Sequence, residues 1–414
     1  MSARIQAPRG TYDVLGEQAL AHAALERLAG GILERAGYRR IETPTFEVTE
    51  LFARGVGEST DVVQKEMYTL DAGESESITL RPEGTAPVCR AYLEHGMHKL
   101  PQPVKLWYFS SFFRRERPQK GRFRQFWQIG AEAIGSDDPA VDAETILLLA
   151  EILEAAGVQS RLRISSLGMP LNRLRYRDKL QQYLRDNASQ LSEDVVARID
   201  LNPLRAFDSE HPGTRAVMAA APRLLDELDR EDAAHFAAVL GLLDAADLPY
   251  QVDTTLVRGL DYYTRTVCEF SSDDLGAQSG VGGGGRYDGL IEQIGGPPTP
   301  GMGWAAGVER ILLAGTPAHS AAPPLDLFVG FATPDLRPAA FRLAADARRA
   351  GHAARLELAG RSLKGQLKQA DRAGARYVAI LEGEGSALLK DMETGEQQPV
   401  ETGTVMHHIA HGRL

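Results

Sequence analysis

The sequence predicts an α+β domain built on an antiparallel sheet and interrupted by a helical insertion, followed by a C-terminal α/β domain with a mixed sheet. Three features lead to this prediction. Two aromatic and apolar runs are joined by a charged, glycine-containing loop, a later stretch loses its β-branched runs, and the last ninety or so residues alternate strand-like with helix-like segments.

The N-terminal elements alternate between helix and strand. Residues 17–36 are rich in alanine, leucine and glutamate at helical spacing, which predicts an amphipathic helix that ends at Gly37. The next segment, YRRIETPTFEVTELF, is strand-like and interrupted by Pro44. Residues 78–81 then lead through Pro-Glu-Gly into a predicted helix from about Thr85 to His95.

The two aromatic runs predict the middle of the sheet. They comprise residues 104–113 and 123–135, and because a short turn joins them we expect an antiparallel hairpin. Residues 141–156 predict a further helix.

The remaining domain limits follow from changes in composition. Ala, Leu, Arg, Glu and Asp dominate the insertion, strand character returns at YQVDTTLV, and the stretch GTPAHSAAPP predicts a linker. The predicted limits are 1–170 and 248–318 for the two parts of the sheet domain, 171–247 for the insertion, 319–324 for the linker and 325–414 for the C-terminal domain.

Composition excludes several classes of protein. The 414 residues are 43% hydrophobic and 25% charged, as in ordinary globular proteins. The two cysteines, Cys89 and Cys268, have no Cys or His neighbour at metal-ligand spacing, so we expect neither a zinc site nor a disulfide framework. No signal peptide or membrane span is apparent, and we expect a cytoplasmic protein without a membrane partner. The net charge of −10 confines any nucleic-acid binding to local basic surfaces.

The charged loop of the hairpin is the first candidate site. It contains one acid, Glu116, and six basic residues, which are Arg114, Arg115, Arg117, Lys120, Arg122 and Arg124. A solvated charged turn is the alternative interpretation. However, arginine binds phosphate through two parallel hydrogen bonds, and the neighbouring Phe126 and Trp127 offer flat faces to a purine ring. This combination favours ATP and the end of an RNA as ligands.

Three further motifs contain candidate binding residues. The glycines 282–285 indicate either a tight strand connection or close approach of backbone to a small ligand. Arg310 follows a glycine-rich entry to an apolar helix and can reach back over a site. In LVRGLDYYTRT, Tyr262 and Tyr263 belong either to the core or to a substrate pocket with several polar groups.

Taken in order, these motifs resemble those of the histidyl-tRNA synthetases, which are class II aminoacyl-tRNA synthetases. The resemblance rests on PRGTYD, IETPTFE, RPEGTAP, FRRERPQKGRFRQF, LVRGLDYYTRT, GGGGRYDGL and GMGWAAGVERIL. The C-terminal run GRSLKGQLKQADRAGARYVAIL resembles the anticodon-binding domain of that family. The resemblance implies a class II synthetase-like catalytic domain and a homodimer. Ser110, Ser111, Phe112 and Trp127 depart from the usual pattern of the family.

The resemblance also implies the reaction and its residues. Histidine would be activated by ATP, with Mg²⁺, to histidyl-adenylate and then transferred to tRNA(His). Arg114 and Arg258 would be the catalytic residues, and Arg258 would neutralise charge at the reacting carboxylate and α-phosphate. The implied ATP-binding residues are Arg114, Glu116, Arg122, Phe126 and Arg310. The implied histidine-binding residues are Glu83, Thr85, Arg114, Gln128, Glu132, Arg258, Tyr262, Tyr263 and Tyr287.

Candidates for tRNA contact lie in the hairpin loop and in the C-terminal domain. The loop candidates are Gln119, Lys120 and Arg124. Lys364, Lys368 and Arg372 are spaced by four residues and therefore line one helical stripe, which is either a solvated face or an RNA contact.

A histidine-sensing regulatory subunit of ATP phosphoribosyltransferase is the main alternative. Such a protein is expected to lose the arginines that bind ATP and to lack the C-terminal domain. This sequence keeps Arg114, Arg122, Arg258 and Arg310 and also has a C-terminal domain. The sequence therefore favours the enzyme.

Overall fold

The computed structural model describes residues 4–57, 60–71, 73, 77–119, 121–256, 260–276, 279–315 and 324–411. Contacts within the chain define two compact units, residues 1–319 and 320–414. Over the described ranges, no helix has both the length and the apolar character needed to cross a membrane.

The first unit contains a large sheet, a small sheet and helices on both faces. Its strands are β1 (Arg39–Arg40), β2 (Phe46–Val48), β3 (Tyr68–Asp71), β4 (Ser77–Leu80), β5 (Val104–Phe113), β6 (Gln125–Ile134), β7 (Arg161–Ser166), β8 (Tyr250–Val252), β9 (Thr264–Ser271), β10 (Gly280–Arg286) and β11 (Gly301–Gly307). Its helices are α1 (Gly16–Arg35), α2 (Thr49–Val56), α3 (Thr85–Glu94), α4 (Pro139–Ala155), α5 (Pro170–Asp186), α6 (Glu193–Val196), α7 (Pro212–Ala219), α8 (Arg230–Ala245), α9 (Leu290–Gln293) and α10 (Val308–Ala314).

The large sheet has the strand order β1-β5-β6-β11-β10-β9-β7-β8. The pairs β1–β5 and β7–β8 are parallel, and the other neighbours are antiparallel. Strands β5 and β6 pair along their full length, from Val104 opposite Ile134 to Phe113 opposite Gln125. The predicted antiparallel hairpin and the predicted fold class are therefore confirmed.

Apolar cores cover both faces of the large sheet. On one face, helices α1, α4 and α8 pack on the sheet through residues such as Leu33, Leu149 and Val239. On the other face, α3 and α9 pack on residues such as Tyr108 and Val267. Alternation along a strand sends successive side chains to opposite faces, so each core takes every second residue of β5 and β6.

The segment from α5 to α8, residues 170–245, is called the helical segment below. It consists of helices without strands, as the sequence predicted. Residues from Tyr176 to Leu224 form a core of their own. Helix α8 instead contributes Phe236, Val239 and Leu243 to the core of the large sheet. The last helix of the segment is therefore anchored in the body of the first unit.

One local prediction is wrong. In the strand-like segment 38–52, strand structure ends at Val48, and Thr49 begins α2, which buries Leu51 and Phe52 in a small apolar core. The glycines 282–285 lie inside β10 between two antiparallel neighbours, and Gly283 also lines the candidate site described below. A Cβ atom on Gly284 would lie 1.9 Å from the carbonyl oxygen of Gly303, so the two backbones can approach only without it.

The second unit is a mixed sheet with helices. Its strands are β12 (Leu325–Phe331), β13 (Ala354–Leu356), β14 (Ala375–Gly383), β15 (Ser386–Asp391) and β16 (Gln397–Glu401), and its helices are α11 (Arg337–Arg349), α12 (Leu363–Arg372) and α13 (Val405–His411). The strand order is β13-β12-β14-β15-β16. The first three strands run parallel, and β15 and β16 are antiparallel. The predicted C-terminal α/β domain with a mixed sheet is confirmed.

Candidate active site

Strand β6 directs the candidate side chains to one face of the large sheet. Phe126 packs against the core on the α3 side, and Glu132 lies on the same side with Thr85 of α3 as a partner. Trp127 points the other way, and its ring centroid lies 5.7 Å from that of Phe109 in the core beneath α1. The departure from the family pattern at Trp127 therefore affects the core and not the site.

The first cavity on this face has a volume of about 440 Å³ and is called the arginine-lined cavity below. Arg114, Arg122 and Arg310 line it, and glycines of β10 supply part of its wall. Glu116 lies between two of the arginines, with its Oε1 3.8 Å from Nη1 of Arg114 and its Oε2 3.5 Å from Nη1 of Arg122. Three guanidinium groups beside exposed backbone suit a ligand with several anionic groups.

Arg114 is held in place by two contacts. Its Nε donates a hydrogen bond to the carbonyl oxygen of Pro82 at 2.9 Å, and its Cζ lies 5.4 Å from the ring centroid of Phe126. The pKa of Arg310 is lowered, chiefly by burial and secondly by the positive charge of Arg122. The positive charges of Arg122 and Arg310 repel each other. An anion bound in this cavity would offset that repulsion and would be stabilised by both arginines.

The second cavity has a volume of about 370 Å³ and is called the tyrosine-lined cavity below. Its lining includes four tyrosines, which are Tyr108, Tyr262, Tyr263 and Tyr287. The ring of Tyr262 lies 4.7 Å from that of Tyr263 and 6.0 Å from that of Tyr287, measured between centroids. Aromatic walls that bear hydroxyl groups suit a small ligand with both a flat ring and polar atoms.

Glu132 lies beside the tyrosine-lined cavity and has no exposed surface. Its Oε1 accepts a hydrogen bond from Thr85 Oγ1 at 2.8 Å, and its Oε2 accepts one from the Tyr287 hydroxyl at 2.7 Å. Burial raises the pKa of Glu132 to about 8, although the two hydroxyl donors oppose that rise. A carboxyl group with this pKa can hold or release a proton near neutral pH.

Two other polar side chains face the same space. Glu83 is buried, and its carboxylate accepts hydrogen bonds from the backbone N–H groups of Thr85 at 2.7 Å and Ala86 at 3.0 Å, at the start of α3. Burial raises its pKa. The Oε1 atom of Gln128 is buried and has no hydrogen-bond partner among the described residues. A buried acceptor without a partner is costly, so this atom favours a ligand that donates a hydrogen bond.

The two cavities meet. They share Arg114, Arg122, Gln128, Gly283 and Ala305 as lining residues. The structure therefore brings together the predicted ATP-binding residues and the predicted histidine-binding residues at Arg114 and Gln128. A ligand in one cavity can contact a ligand in the other at this junction.

Two of the predicted tRNA-binding residues of the hairpin, Gln119 and Arg124, are not among the lining residues of the two cavities. Gln119 is exposed, and its backbone exchanges hydrogen bonds of 3.1 and 2.9 Å with Arg122. Arg124 donates through Nη1 to the carbonyl oxygen of Arg9 at 3.3 Å, so its side chain braces the N-terminal segment. Lys120 and Arg258 lie outside the described residues, and the predictions for them stay predictions.

In the second unit, the predicted basic stripe lies on α12. Lys364, Lys368 and Arg372 are exposed, whereas Gln366 and Ala370 of the same helix are buried against the sheet. The stripe therefore lies on the solvent side of the helix. This position is compatible with both predicted interpretations, a solvated face and an RNA contact.

The sequence-based prediction missed three residues of the site. Tyr108 lines the tyrosine-lined cavity but lies in an aromatic run that is typical of a core strand. Glu309 lines the arginine-lined cavity and accepts hydrogen bonds from the Tyr12 hydroxyl at 2.7 Å and the Trp127 N–H at 2.9 Å. A Cβ atom on Gly303 would lie 1.8 Å from Oε2 of Glu132, so the glycine makes room for that carboxyl group.

An antiparallel sheet that holds an arginine-lined cavity beside a small, polar, tyrosine-lined cavity is the arrangement expected of a class II aminoacyl-tRNA synthetase. The family model described as histidyl-tRNA synthetase matches residues 10–311 of the chain. The chain belongs to the histidyl-tRNA synthetase family.

Individual relatives agree with this assignment. The chain is 47% identical over 410 residues to the histidine--tRNA ligase of Rubrobacter xylanophilus, and 96% of each chain is covered. It is 48% identical over 410 residues to the histidine--tRNA ligase of Nocardia farcinica, with 97% of this chain and 96% of the relative covered. Among solved structures, apo histidyl-tRNA synthetase of S. aureus superposes with a TM-score of 0.81 at 34% identity, covering 98% of this chain and 100% of that one.

Proposed function

We propose that the protein is a histidine--tRNA ligase, which activates L-histidine with ATP to histidyl-adenylate and transfers histidine to the 3′ end of tRNA(His). The observation that carries the proposal is the junction of the arginine-lined and tyrosine-lined cavities at Arg114 and Gln128. Family membership agrees with it. A histidine-sensing regulatory subunit would need only the second cavity, whereas this chain keeps both.

In the first step, a carboxylate oxygen of histidine forms a bond to the α-phosphorus of ATP, and the bond to pyrophosphate breaks. Arg114 is the catalytic residue that would stabilise the charge on the α-phosphate, because it lines both cavities. Its hydrogen bond to Pro82 and its contact with Phe126 hold the guanidinium in place before the reaction. Arg258 is proposed to act with it on the same charge.

Glu132 and Tyr263 would recognise the imidazole ring of histidine, with Tyr262 and Tyr287 beside it. A neutral imidazole has one N–H donor and one acceptor nitrogen, so a carboxyl group and a hydroxyl group can satisfy both. The hydroxyls of Thr85 and Tyr287 each occupy one oxygen of Glu132 and so fix the orientation of its carboxyl plane. Amino acids that lack two ring nitrogens would leave these buried groups unpaired, which gives the selectivity.

The α-ammonium group of histidine would lie against Glu83, Thr85 and Gln128. It has three donors, and Gln128 offers a buried acceptor that has no partner among the described residues. The Glu83 carboxylate already accepts two backbone N–H groups but retains further lone pairs. These contacts would turn the histidine carboxylate towards the junction of the two cavities.

ATP would occupy the arginine-lined cavity. Arg122 and Arg310 would bind its outer phosphates, and Glu116 and Phe126 would contact the adenine. Mg²⁺ would neutralise phosphate charge when bound, and the carboxylate of Glu269 on the cavity wall would hold it. Oxygen ligands of this kind suit Mg²⁺, which takes one or two carboxylates together with phosphate oxygens.

In the second step, a hydroxyl of the terminal adenosine of tRNA(His) attacks the histidyl carbonyl carbon, and AMP leaves. Gln119, Lys120 and Arg124 would contact the acceptor end, and Lys364, Lys368 and Arg372 would contact phosphates of the RNA. We also propose that the protein is a homodimer. We also propose a cytoplasmic location, because the sequence has only two cysteines, Cys89 and Cys268, and disulfide frameworks are typical of secreted proteins.

A charging assay tests the proposal. The protein should attach radiolabelled histidine to a tRNA(His) transcript in the presence of ATP, and Arg114→Gln should lower the rate by about a hundredfold or more. Arg115→Gln is the matched control, because Arg115 is the exposed neighbour in the same loop and should leave the rate within about twofold. Histidine binding without any charging would favour the regulatory subunit instead.

A further inference from the structure

An arginine of β9 connects the helical segment to the loop that carries Tyr262 and Tyr263. Arg265 follows these tyrosines closely in the chain and has a φ of 41°, in the left-handed region that favours glycine. The pairing of β9 with β10 is irregular at this point, because its register shifts between Gly285 and Arg286. Irregularities of this kind bend a strand and redirect its neighbouring side chains.

The side chain of Arg265 is buried and bound by two carboxylates of α8. Its Nε donates to Oδ1 of Asp232 at 2.8 Å, and its Nη2 donates to Oε1 of Glu231 at 2.5 Å. The side chain of Asp232 is 1% exposed and that of Glu231 is 82% exposed. The buried Arg265–Asp232 pair is therefore the stronger link, since solvent screens the other.

Asp232 also reaches the first helix of the helical segment. Its Oδ2 accepts hydrogen bonds from the Met169 N–H at 2.7 Å and from Asn172 Nδ2 at 2.5 Å. The backbone of Arg265 binds the same region, because its N–H donates to Gly168 at 3.0 Å and its carbonyl oxygen accepts from Leu167 at 2.7 Å. The start of α5 and the start of α8 are thus both joined to Arg265.

A second charge from the helical segment faces the same loop. Burial lowers the pKa of Arg173, on α5, and the nearby negative charge of Asp261 opposes that effect. Asp261 directly precedes Tyr262, and its N–H donates to the carbonyl oxygen of Val56 at 3.3 Å. The helical segment therefore binds the chain directly at Arg265, after the two tyrosines, and the positive charge of Arg173 acts on Asp261, before them.

We infer that Arg265 is a positioning residue for histidine binding. The ion pair of Arg265 with Asp232 makes the position of Tyr262 and Tyr263 depend on the position of the helical segment. The inference rests on the proposed function, because it assumes that the tyrosine-lined cavity binds histidine. Glycine would adopt the backbone conformation of Arg265 without strain, so the contacts of the guanidinium offset the conformational cost of an arginine here.

Histidine-dependent ATP–pyrophosphate exchange by the full-length protein tests the inference. Arg265→Gly keeps the backbone conformation accessible and removes the ion pair, so KM for histidine should rise about five- to tenfold while KM for ATP stays within about twofold. Asp232→Asn removes the charge of the partner and should act in the same direction. If Arg265→Gly does not fold, Asp232→Asn carries the same test.

Two variants serve as controls. Glu231→Gln should leave KM for histidine unchanged, because that partner is mostly exposed. Tyr176→Phe removes the hydrogen bond from the Tyr176 hydroxyl to Pro222, 3.0 Å long, inside the helical segment and leaves the Arg265 contacts intact.

The outcomes separate the inference from the proposed function. An unchanged KM for histidine in the folded Arg265 or Asp232 variants, or equal rises for histidine and ATP, would overturn the inference. An equal effect of Tyr176→Phe would overturn it as well, because loss of stability in the helical segment would then suffice. Failure of the unaltered protein to exchange with histidine would instead reject the proposed function.

Discussion

Replacing Glu132 with glutamine removes a buried titratable group and changes little else. The two side chains have the same shape, and the hydroxyls of Thr85 and Tyr287 can either donate or accept towards the new amide. In the unaltered protein, burial raises the pKa of Glu132 from its ordinary value of 4.5 to about 8. The substitution therefore removes one titration and preserves the packing.

The sign of the effect on stability follows from proton binding. The folded state holds the proton of Glu132 more tightly than the unfolded state does, so this group stabilises the fold fully below pH 4.5. That stability is lost as the pH rises through 4.5 to about 8. At roughly 1.4 kcal/mol for each pKa unit, the unaltered protein should lose about 4 kcal/mol between pH 5 and pH 9 from this group alone.

The measurement is the free energy of unfolding in urea at several pH values, for the unaltered protein and for Glu132→Gln. Trp107, Trp127 and Trp304 are the three tryptophans of the chain and all lie in the first unit, so their fluorescence reports the unfolding of that unit. The difference between variant and parent should shift in favour of the variant by about 4 kcal/mol from pH 5 to pH 9.

Glu154→Gln is the control for this experiment. Glu154 is an exposed glutamate on α4, and its replacement should give a difference that does not vary with pH by more than about 0.5 kcal/mol. The same flat result for Glu132→Gln would refute the argument, since the buried carboxyl group would then titrate like an exposed one. We also expect Glu132→Gln to raise KM for histidine, because the imidazole ring would lose the carboxyl group that binds one of its nitrogens.

Three further predictions concern the wider site. Gly303→Ala should lower histidine-dependent exchange about a hundredfold, because its Cβ atom would lie 1.8 Å from Oε2 of Glu132. Gly241→Ala is the control: a Cβ atom there would meet open space on α8, and the alanine should raise the free energy of unfolding by up to about 1 kcal/mol. Arg310→Ala should raise KM for ATP about tenfold or more and leave KM for histidine within about twofold, as measured by exchange. Lys368→Glu should raise KM for tRNA(His) in charging and flatten its salt dependence, with exchange unchanged; equal salt dependence in parent and variant would leave the stripe a solvated face.

The sequence was sufficient to predict elements whose pattern is local. The runs 104–113 and 123–135 are rich in aromatic and apolar residues and are joined by a short charged turn, so the hairpin and its arginine loop could be predicted. The segment from Thr49 was mistaken for a strand because Thr, Val and Phe favour strands. Tertiary packing of Leu51 and Phe52 overrides that preference.

The chemistry of Glu132 depends on contacts that no local pattern contains. Its partners come from α3 and from the residue after β10, and the space for its carboxyl group comes from Gly303 on β11. The resemblance to a family placed Glu132 in the pocket, but only the burial of its side chain explains a pKa near 8. Arg265 is a similar case, because its role depends on a residue of α8 that lies 33 positions away in the sequence.

The central claim is that the two joined cavities hold histidine and ATP in contact. ATP–pyrophosphate exchange measured separately with each of the twenty amino acids tests it most directly. We expect exchange with histidine and at least about a thousandfold less with any other amino acid, because the others leave Glu132 or Tyr263 unpaired. Exchange with a different amino acid at an equal rate, or no exchange with histidine, would contradict it.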